Sequence, residues 1–172
     1  MRPNKDEWTL RLAAVVALRS TCLRRHVGCV LVNSRGHVLA TGYNGVAAGL
    51  PHCNEEKMVD VCFGPEYKSL AGKKSGERIT HPNACAGATS PSGADLDSCQ
   101  AIHAEQNALL QCRDVYEITS CYVTVAPCIT CTKLLLNTSC QRIIYAEDYP
   151  LHAASKLWWE AAKREWIKLL WT

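Results

Sequence analysis

Residues 119–146 read TSCYVTVAPCITCTKLLLNTSCQRIIYA. The β-branched and aromatic run over 119–125 predicts a strand, the pattern over 128–138 a helix, and the apolar run over 141–146 a second strand. Pro127 suits the opening of that helix, where a missing N–H removes no intrahelical bond. Working outward, residues 103–112 predict a helix before this unit, 152–163 a helix after it, and EWIKLL at 165–170 a last strand. Nearer the start, Trp8, Leu12, Val15 and Val16 fall near helical spacing over 6–20, with acidic residues at the front and Arg19 near the end. Two β-rich runs, Val27–Asn33 and His37–Thr41, are split by Ser34-Arg35-Gly36 and predict a hairpin. Strands alternating with helices argue for an α/β sheet layered between helices.

The chemistry sits at the starts of two of these helices. His103-Ala104-Glu105 lies about 25 residues before Pro127-Cys128-Ile129-Thr130-Cys131. Cys128 and Cys131 are one helical turn apart, so both sulfurs can face one point. A helix start favours negative charge and therefore thiolates. One His and two Cys make three zinc ligands and leave the fourth tetrahedral position open, which separates a catalytic zinc from a structural one. Glu105 is an acid–base group that need not bind metal. A C-x-x-C pair alone also reads as a redox pair or half of a structural zinc site; H-x-E ahead of P-C-x-x-C is the signature of zinc-dependent nucleobase deaminases.

Composition bounds the rest. At 172 residues one domain is the default, and 48% hydrophobic with 20% charged residues excludes a disordered chain. A formal charge of +3 makes no case for a nucleic-acid-binding surface. Arg19, Arg24 and Arg25 read either as a solvated face or as part of a phosphate site. The start, MRPNKDEWTL, lacks the apolar stretch of a signal peptide, and no run approaches a membrane span. Eleven cysteines in such a chain point to metal ligands or buried thiols in a reducing compartment. Cys29, Cys112, Cys121 and Cys140 read as core positions. Residues of about 49–98, rich in Gly, Pro, Ser, Asn and Lys, read as a loop-rich insertion in a single domain over 1–172. Trp158, Trp159, Trp166 and Trp171 crowd the tail, as core or as a subunit interface.

Beyond the zinc pattern, the chain resembles the deoxycytidylate (dCMP) deaminases of phage and bacterial type. Leu18-Arg19-Ser20-Thr21-Cys22, Gly42-Tyr43-Asn44-Gly45, Gly49-Leu50-Pro51-His52-Cys53, Ser75-Gly76-Glu77-Arg78, Ile102–Ala108, Tyr122-Val123-Thr124 and Tyr145–Tyr149 carry the resemblance, over residues of about 8–150. It implies a cytidine deaminase-like three-layer α/β/α sandwich with a mixed central sheet of about five strands. It implies hydrolysis of dCMP to dUMP and ammonia, supplying dUMP for thymidylate synthesis, with Glu105 as the proton carrier. Asn44 would bond the sugar, and Ala104, Thr124 and Tyr149 would line the substrate site. From residues alone, Asn44 is equally a turn Asn before Gly and Tyr149 a half-buried structural Tyr. The resemblance also implies dCTP as activator and dTTP as inhibitor, with Mg²⁺, in a region matching Arg19, Ser20, Arg24, Arg25 and Asn44. A hexamer is the implied assembly, and the cytoplasm, or a host's cytoplasm for a phage protein, the implied location. A second, structural zinc would take Cys22, Cys53 and Cys99, with Cys62, His81 or Cys85 as fourth ligand; without the resemblance these are buried free thiols. The insertion is longer here than in the closest patterns.

Two other readings compete. One is a deaminase of the same fold acting on free nucleoside or on nucleic acid, although the modest charge and single Phe give no basic, aromatic groove. The other is a non-catalytic zinc module, against which stands the presence of Glu105.

Overall fold

The computed structural model describes residues 2–50, 52–54, 85–90 and 99–170. Most of the insertion read at about 49–98, with Cys62 and His81, lies outside these residues, as does Trp171.

Helix α1 (Lys5–Ala17) opens on a capping box: Asn4 Oδ1 accepts the Glu7 N–H at 2.8 Å, and Glu7 Oε2 accepts the Asn4 N–H at 3.1 Å. It ends earlier than its apolar spacing predicts. The N–H groups of Leu18, Arg19 and Ser20 bond back three residues, to Val15, Val16 and Ala17, so the last turn tightens and the chain departs. Strands β1 (Gly28–Val32) and β2 (Val38–Tyr43) form the predicted hairpin, antiparallel from Gly28↔Tyr43 to Val32↔Val38. Two short strands, β3 (Gly45–Val46) and β4 (Ala101–Ile102), pair separately and antiparallel. Then follow α2 (Ala104–Gln111), β5 (Ser120–Val125), α3 (Ile129–Leu136), β6 (Arg142–Glu147), α4 (His152–Ala161) and β7 (Glu165–Lys168).

The main sheet has the order β2-β1-β5-β6-β7. β1 is antiparallel to both neighbours, whereas β5, β6 and β7 run parallel. This is the mixed five-stranded sheet of the expected three-layer fold. Its central strands β1, β5 and β6 are buried on both faces, and alternate residues serve different layers. Val30, Val32, Tyr122 and Ile144 pack with Leu10 and Ala13 of α1. Cys29, Leu31, Cys121, Val123, Ile143 and Tyr145 face the other way, toward Ala108 of α2, Leu135 of α3 and Trp159 of α4.

Two glycines set how closely helices approach. A Cβ on Gly28 would stand 2.0 Å from the Ala13 carbonyl oxygen of α1, and one on Gly42 would stand 2.2 Å from the Ala104 carbonyl oxygen of α2. Asn107 Nδ2 donates to the Tyr43 carbonyl at 2.7 Å and fastens α2 to β2. At the opposite end of the sheet, Asp6 of α1 takes the Arg142 guanidinium at 2.8 Å and the Tyr122 hydroxyl at 2.5 Å.

The tail divides its tryptophans. Trp159 is fully buried and donates to the Glu165 carbonyl at 2.9 Å. Arg164 stacks on it and donates to the carbonyls of Leu135, Leu136 and Cys140, closing the end of α3. Trp166 packs on Tyr145 at 5.5 Å between centroids, and Trp158 is half-exposed beneath Lys133. Cys29, Cys121 and Cys140 are core residues as expected. Cys112 sits at the core's edge: it ends α2 partly buried against the core, its Sγ donating to the Asp114 carbonyl at 3.3 Å. Among the described residues no helix is long and apolar enough to cross a membrane.

Candidate metal centre and cleft

Parallel strands β5 and β6 end side by side, and the site forms beyond their carboxyl ends, where open α/β sheets place ligands. β5 leads through Ala126 and Pro127 into Cys128, the N-cap of α3. The β3–β4 pair, with Gly45 opposite Ile102, brings Asn44 beside His103, the N-cap of α2. The His103 N–H donates to Gln106 Oε1 at 2.9 Å, which fixes this helix start.

His103, Cys128 and Cys131 meet here. The Nδ1 of His103 lies 3.4 Å from the Sγ of Cys128 and 3.4 Å from that of Cys131. Their ligand atoms all lie within 4.8 Å of one another. The set fits zinc: a tetrahedral centre with Zn–N and Zn–S bonds of ordinary length separates N from S by about 3.5 Å. The Cys128 thiol is pushed down to about 4, first by the hydrogen bond from Cys131 and then by His103, against the opposing effect of burial. The neighbouring Cys131 thiol is pushed up as the donor of that pair. His103 is shifted up by its bond to Cys128. One proton-poor sulfur beside an imidazole is a site ready for a divalent cation.

Glu105, in the first turn of α2, is 3% exposed. Burial pushes its carboxyl up to about 7, with the His103 charge acting the other way. Such a group gains and loses a proton easily at neutral pH.

His103, Glu105 and Cys128 border a cleft, which is also lined by Cys22, Arg24, Arg25, Val27, Asn44, Cys99, Ala101, Ala104, Val125, Ala126 and Tyr149. Asn44 is 8% exposed and holds the wall together. Its Oδ1 accepts the Val27 N–H at 2.8 Å and lies 2.7 Å from the Ser20 hydroxyl, and its Nδ2 donates to the Arg25 carbonyl at 2.8 Å. Three of the amide's four hydrogen-bonding positions are thus filled, leaving one N–H. Arg25 Nη1 and the Tyr149 hydroxyl are both buried with no hydrogen-bond partner among the described residues. The other nitrogen, Arg25 Nη2, stands 3.8 Å from Glu147 Oε2. Thr124 does not line the cleft; its hydroxyl accepts the Gly28 N–H at 3.2 Å, and Val125 and Ala126 supply the lining on β5's side. Of the residues read as an effector region, Arg24, Arg25 and Asn44 share the cleft with Glu105, Ser20 is buried behind Asn44, and Arg19 is exposed at the end of α1.

A second cysteine cluster adjoins the cleft. Cys85 shares thiol hydrogen bonds with Cys53 and Cys99, which push its own thiol far down and theirs far up. Cys22 lies close enough to act electrostatically on Cys53 and Cys99. Cys22, Cys53 and Cys85 are buried and Cys99 half-buried. Among the described residues, this set is looser than the His103 group.

Fold and site together define a metal-binding α/β protein with a buried carboxyl beside the His103, Cys128 and Cys131 group. The chain belongs to the family of the cytidine and deoxycytidylate deaminase zinc-binding region, whose model matches residues 3–147. It is 34% identical over 152 residues to the deoxycytidylate deaminase of Mycobacterium phage D29, covering 86% of this chain and 98% of that one. It is 32% identical over 160 residues to the deoxycytidylate deaminase of Schizosaccharomyces pombe, covering 91% of this chain but only 42% of the yeast protein. The fold is shared with the cyanophage S-TIM5 dCMP deaminase, solved with dCMP and dUMP, at a TM-score of 0.65 and 21% identity over 98% of this chain and 99% of the other.

Proposed function

We propose that this chain deaminates dCMP hydrolytically to dUMP and ammonia, with one zinc held by His103, Cys128 and Cys131. The observation that carries the reading is the meeting of that ligand set with the buried Glu105 in one cleft. When bound, zinc supplies Lewis acidity that brings the pKa of a water toward roughly 7. Glu105 does the proton work. Its carboxylate takes a proton from the attacking water and passes it to ring N3 as C4 is attacked; it then takes the proton of the new C4 hydroxyl and delivers it to the departing amine, so that ammonia leaves and C4 keeps a carbonyl. A carboxyl near 7 returns to its starting state after each transfer.

The cleft supports a monophosphate substrate. Among the described residues, Arg25 Nη1 and the Tyr149 hydroxyl are donors without partners, and a phosphate gives both a charge-assisted acceptor. The remaining Asn44 N–H is available to a sugar hydroxyl, and Ala104 lies in the lining beside Glu105. Thr124 acts beneath the lining, through β1. The reading takes residues 1–172 as one deaminase domain with its insertion at about 49–98, acting in the cytoplasm, a host's if phage-encoded.

Cys22, Cys53, Cys85 and Cys99 make a four-sulfur set of the type that closes a structural zinc site. Cys85 is the fourth ligand in this reading because it already bonds two of the others. Kinship with phage deoxycytidylate deaminases extends the proposal to a hexamer, with dCTP and Mg²⁺ raising activity and dTTP lowering it at a separate site.

The test is a panel of cytidine, deoxycytidine, CMP, dCMP and dCTP offered to the zinc-loaded protein, following loss of cytosine absorbance with and without dCTP and dTTP as effectors. dCMP should be turned over far more efficiently than deoxycytidine. Equal efficiency on the two would replace the reading with a nucleoside deaminase.

A further inference from the structure

Arg25 enters the cleft with its two terminal nitrogens in different hands. Nη1 is buried with no hydrogen-bond partner among the described residues, and Nη2 is 3.8 Å from the Glu147 carboxylate. Glu147 ends β6, and its backbone is pinned there: its carbonyl accepts the Ala126 N–H at 2.8 Å, and Ala126 is itself part of the cleft lining. The side chain is 60% exposed, so its charge stands at the cleft's rim. The next carboxylate, Asp148, is held by Lys168 at 2.5 Å, with His152 3.7 Å away. Glu147 therefore differs from Asp148 in being directed at Arg25, one of the two arginines that line the cleft.

Among the described residues, one terminal nitrogen of the guanidinium is free for an anion and the other faces the Glu147 carboxylate at 3.8 Å. A single phosphate on Nη1 receives a charge-assisted hydrogen bond. A second phosphate must extend beyond the first, toward the rim, where it meets the like charge of Glu147. We infer that Glu147 is a specificity-determining residue: it limits the cleft to a nucleoside monophosphate by repelling any phosphate beyond the first. This inference rests on the dCMP reading above. Two unit charges about 6 Å apart at a partly solvated rim change an equilibrium by about tenfold.

The experiment compares dCMP and deoxycytidine diphosphate, each as a substrate or as a competitor, in wild-type protein and in Glu147→Gln. The kcat/KM ratio, or Ki ratio, favouring monophosphate over diphosphate should fall about tenfold in Glu147→Gln and further in Glu147→Lys. Glu147→Asp should keep most of the preference, and Asp148→Asn should keep all of it. Raising ionic strength should narrow the wild-type ratio toward that of Glu147→Gln, because exposed charges are screened. A ratio unchanged within twofold in both Glu147→Gln and Glu147→Lys overturns the inference. So does an equal fall in Asp148→Asn, which would assign the effect to general rim acidity. Failure of the underlying reading looks different: wild-type protein would then show no preference for dCMP over deoxycytidine.

Discussion

Gly42 lies in the outer strand of the sheet, yet replacing it with alanine should damage the metal centre. An added Cβ would stand 2.2 Å from the Ala104 carbonyl oxygen, 2.4 Å from the Ala108 nitrogen and 3.0 Å from the Ala108 Cα. All three are backbone atoms of α2, so no side chain can turn aside. Restoring ordinary contact requires the helix to retreat by about 1 Å. Overpacking of this kind costs about 1–3 kcal/mol. The helix carries His103 at its cap and Glu105 in its first turn. A shift of about 1 Å in reacting groups lowers turnover by roughly a hundredfold. Gly28→Ala provides the comparison: its Cβ would meet α1 just as closely, at 2.0 Å from the Ala13 oxygen and 2.6 Å from the Ala17 nitrogen. α1 holds no member of the centre. Both variants should therefore lose similar stability in urea titrations, while Gly42→Ala alone loses zinc affinity and most of its kcat at a temperature where both are folded. Equal activity per zinc-loaded, folded molecule in the two variants would refute the link between this helix contact and the site.

Three further outcomes are expected. Glu105→Gln should keep the fold and bind zinc normally, yet lose at least about a hundredfold in turnover, the scale of a missing general acid–base group; near-normal turnover removes Glu105 from the chemistry. Metal analysis of freshly purified protein should give about two zinc ions per chain, falling to about one in Cys22→Ser or Cys85→Ser; one ion per chain, unchanged in both variants, rejects the four-sulfur site. Asp6 is raised by burial, but the hydrogen bonds of Arg142 and Tyr122 outweigh this and leave its carboxyl below the usual range. A depressed carboxyl adds stability above its unfolded value of about 3.9 and loses it as pH falls through the folded value. Asp6→Asn should cost about 1 kcal/mol at pH 7 and progressively less as the pH falls through the folded value, and a cost that stays constant down to acid unfolding would place the effect outside the ion pair.

The parts of the fold that could be read from sequence are those with a strong period. The run over 119–146 alternates strand, helix and strand clearly enough that β5 and α3 fall within their predicted spans and β6 passes its own by one residue, Glu147. The three zinc ligands and Glu105 could be read because helix starts and one-turn spacing are local properties. The cleft walls depend on pairings across the chain and were less legible. β3 and β4 have two residues each and carry no periodic signal, yet their pairing puts Asn44 beside His103. Arg24 and Arg25 read as a basic cluster with no stated direction; only the turn after α1 faces them into the cleft. Glu147 gave no signal of its own, because an acidic residue at a strand end is ordinary until its partner is known. The fourth ligand of the second cluster is open in the sequence among Cys62, His81 and Cys85, since proximity within a long insertion is not encoded by spacing.

The Asn44 amide reaches the segment before β1 through main-chain groups at two points, the carbonyl of Arg25 and the N–H of Val27. Every residue except proline offers both groups. The amide therefore acts as a mould for the segment's path, and the path is indifferent to which side chains the segment bears. Positions 24–26 become exchangeable fittings on a constant frame. The cleft's charge and reach could be rewritten there by substitution, with the metal centre and the sheet beneath it left as they are.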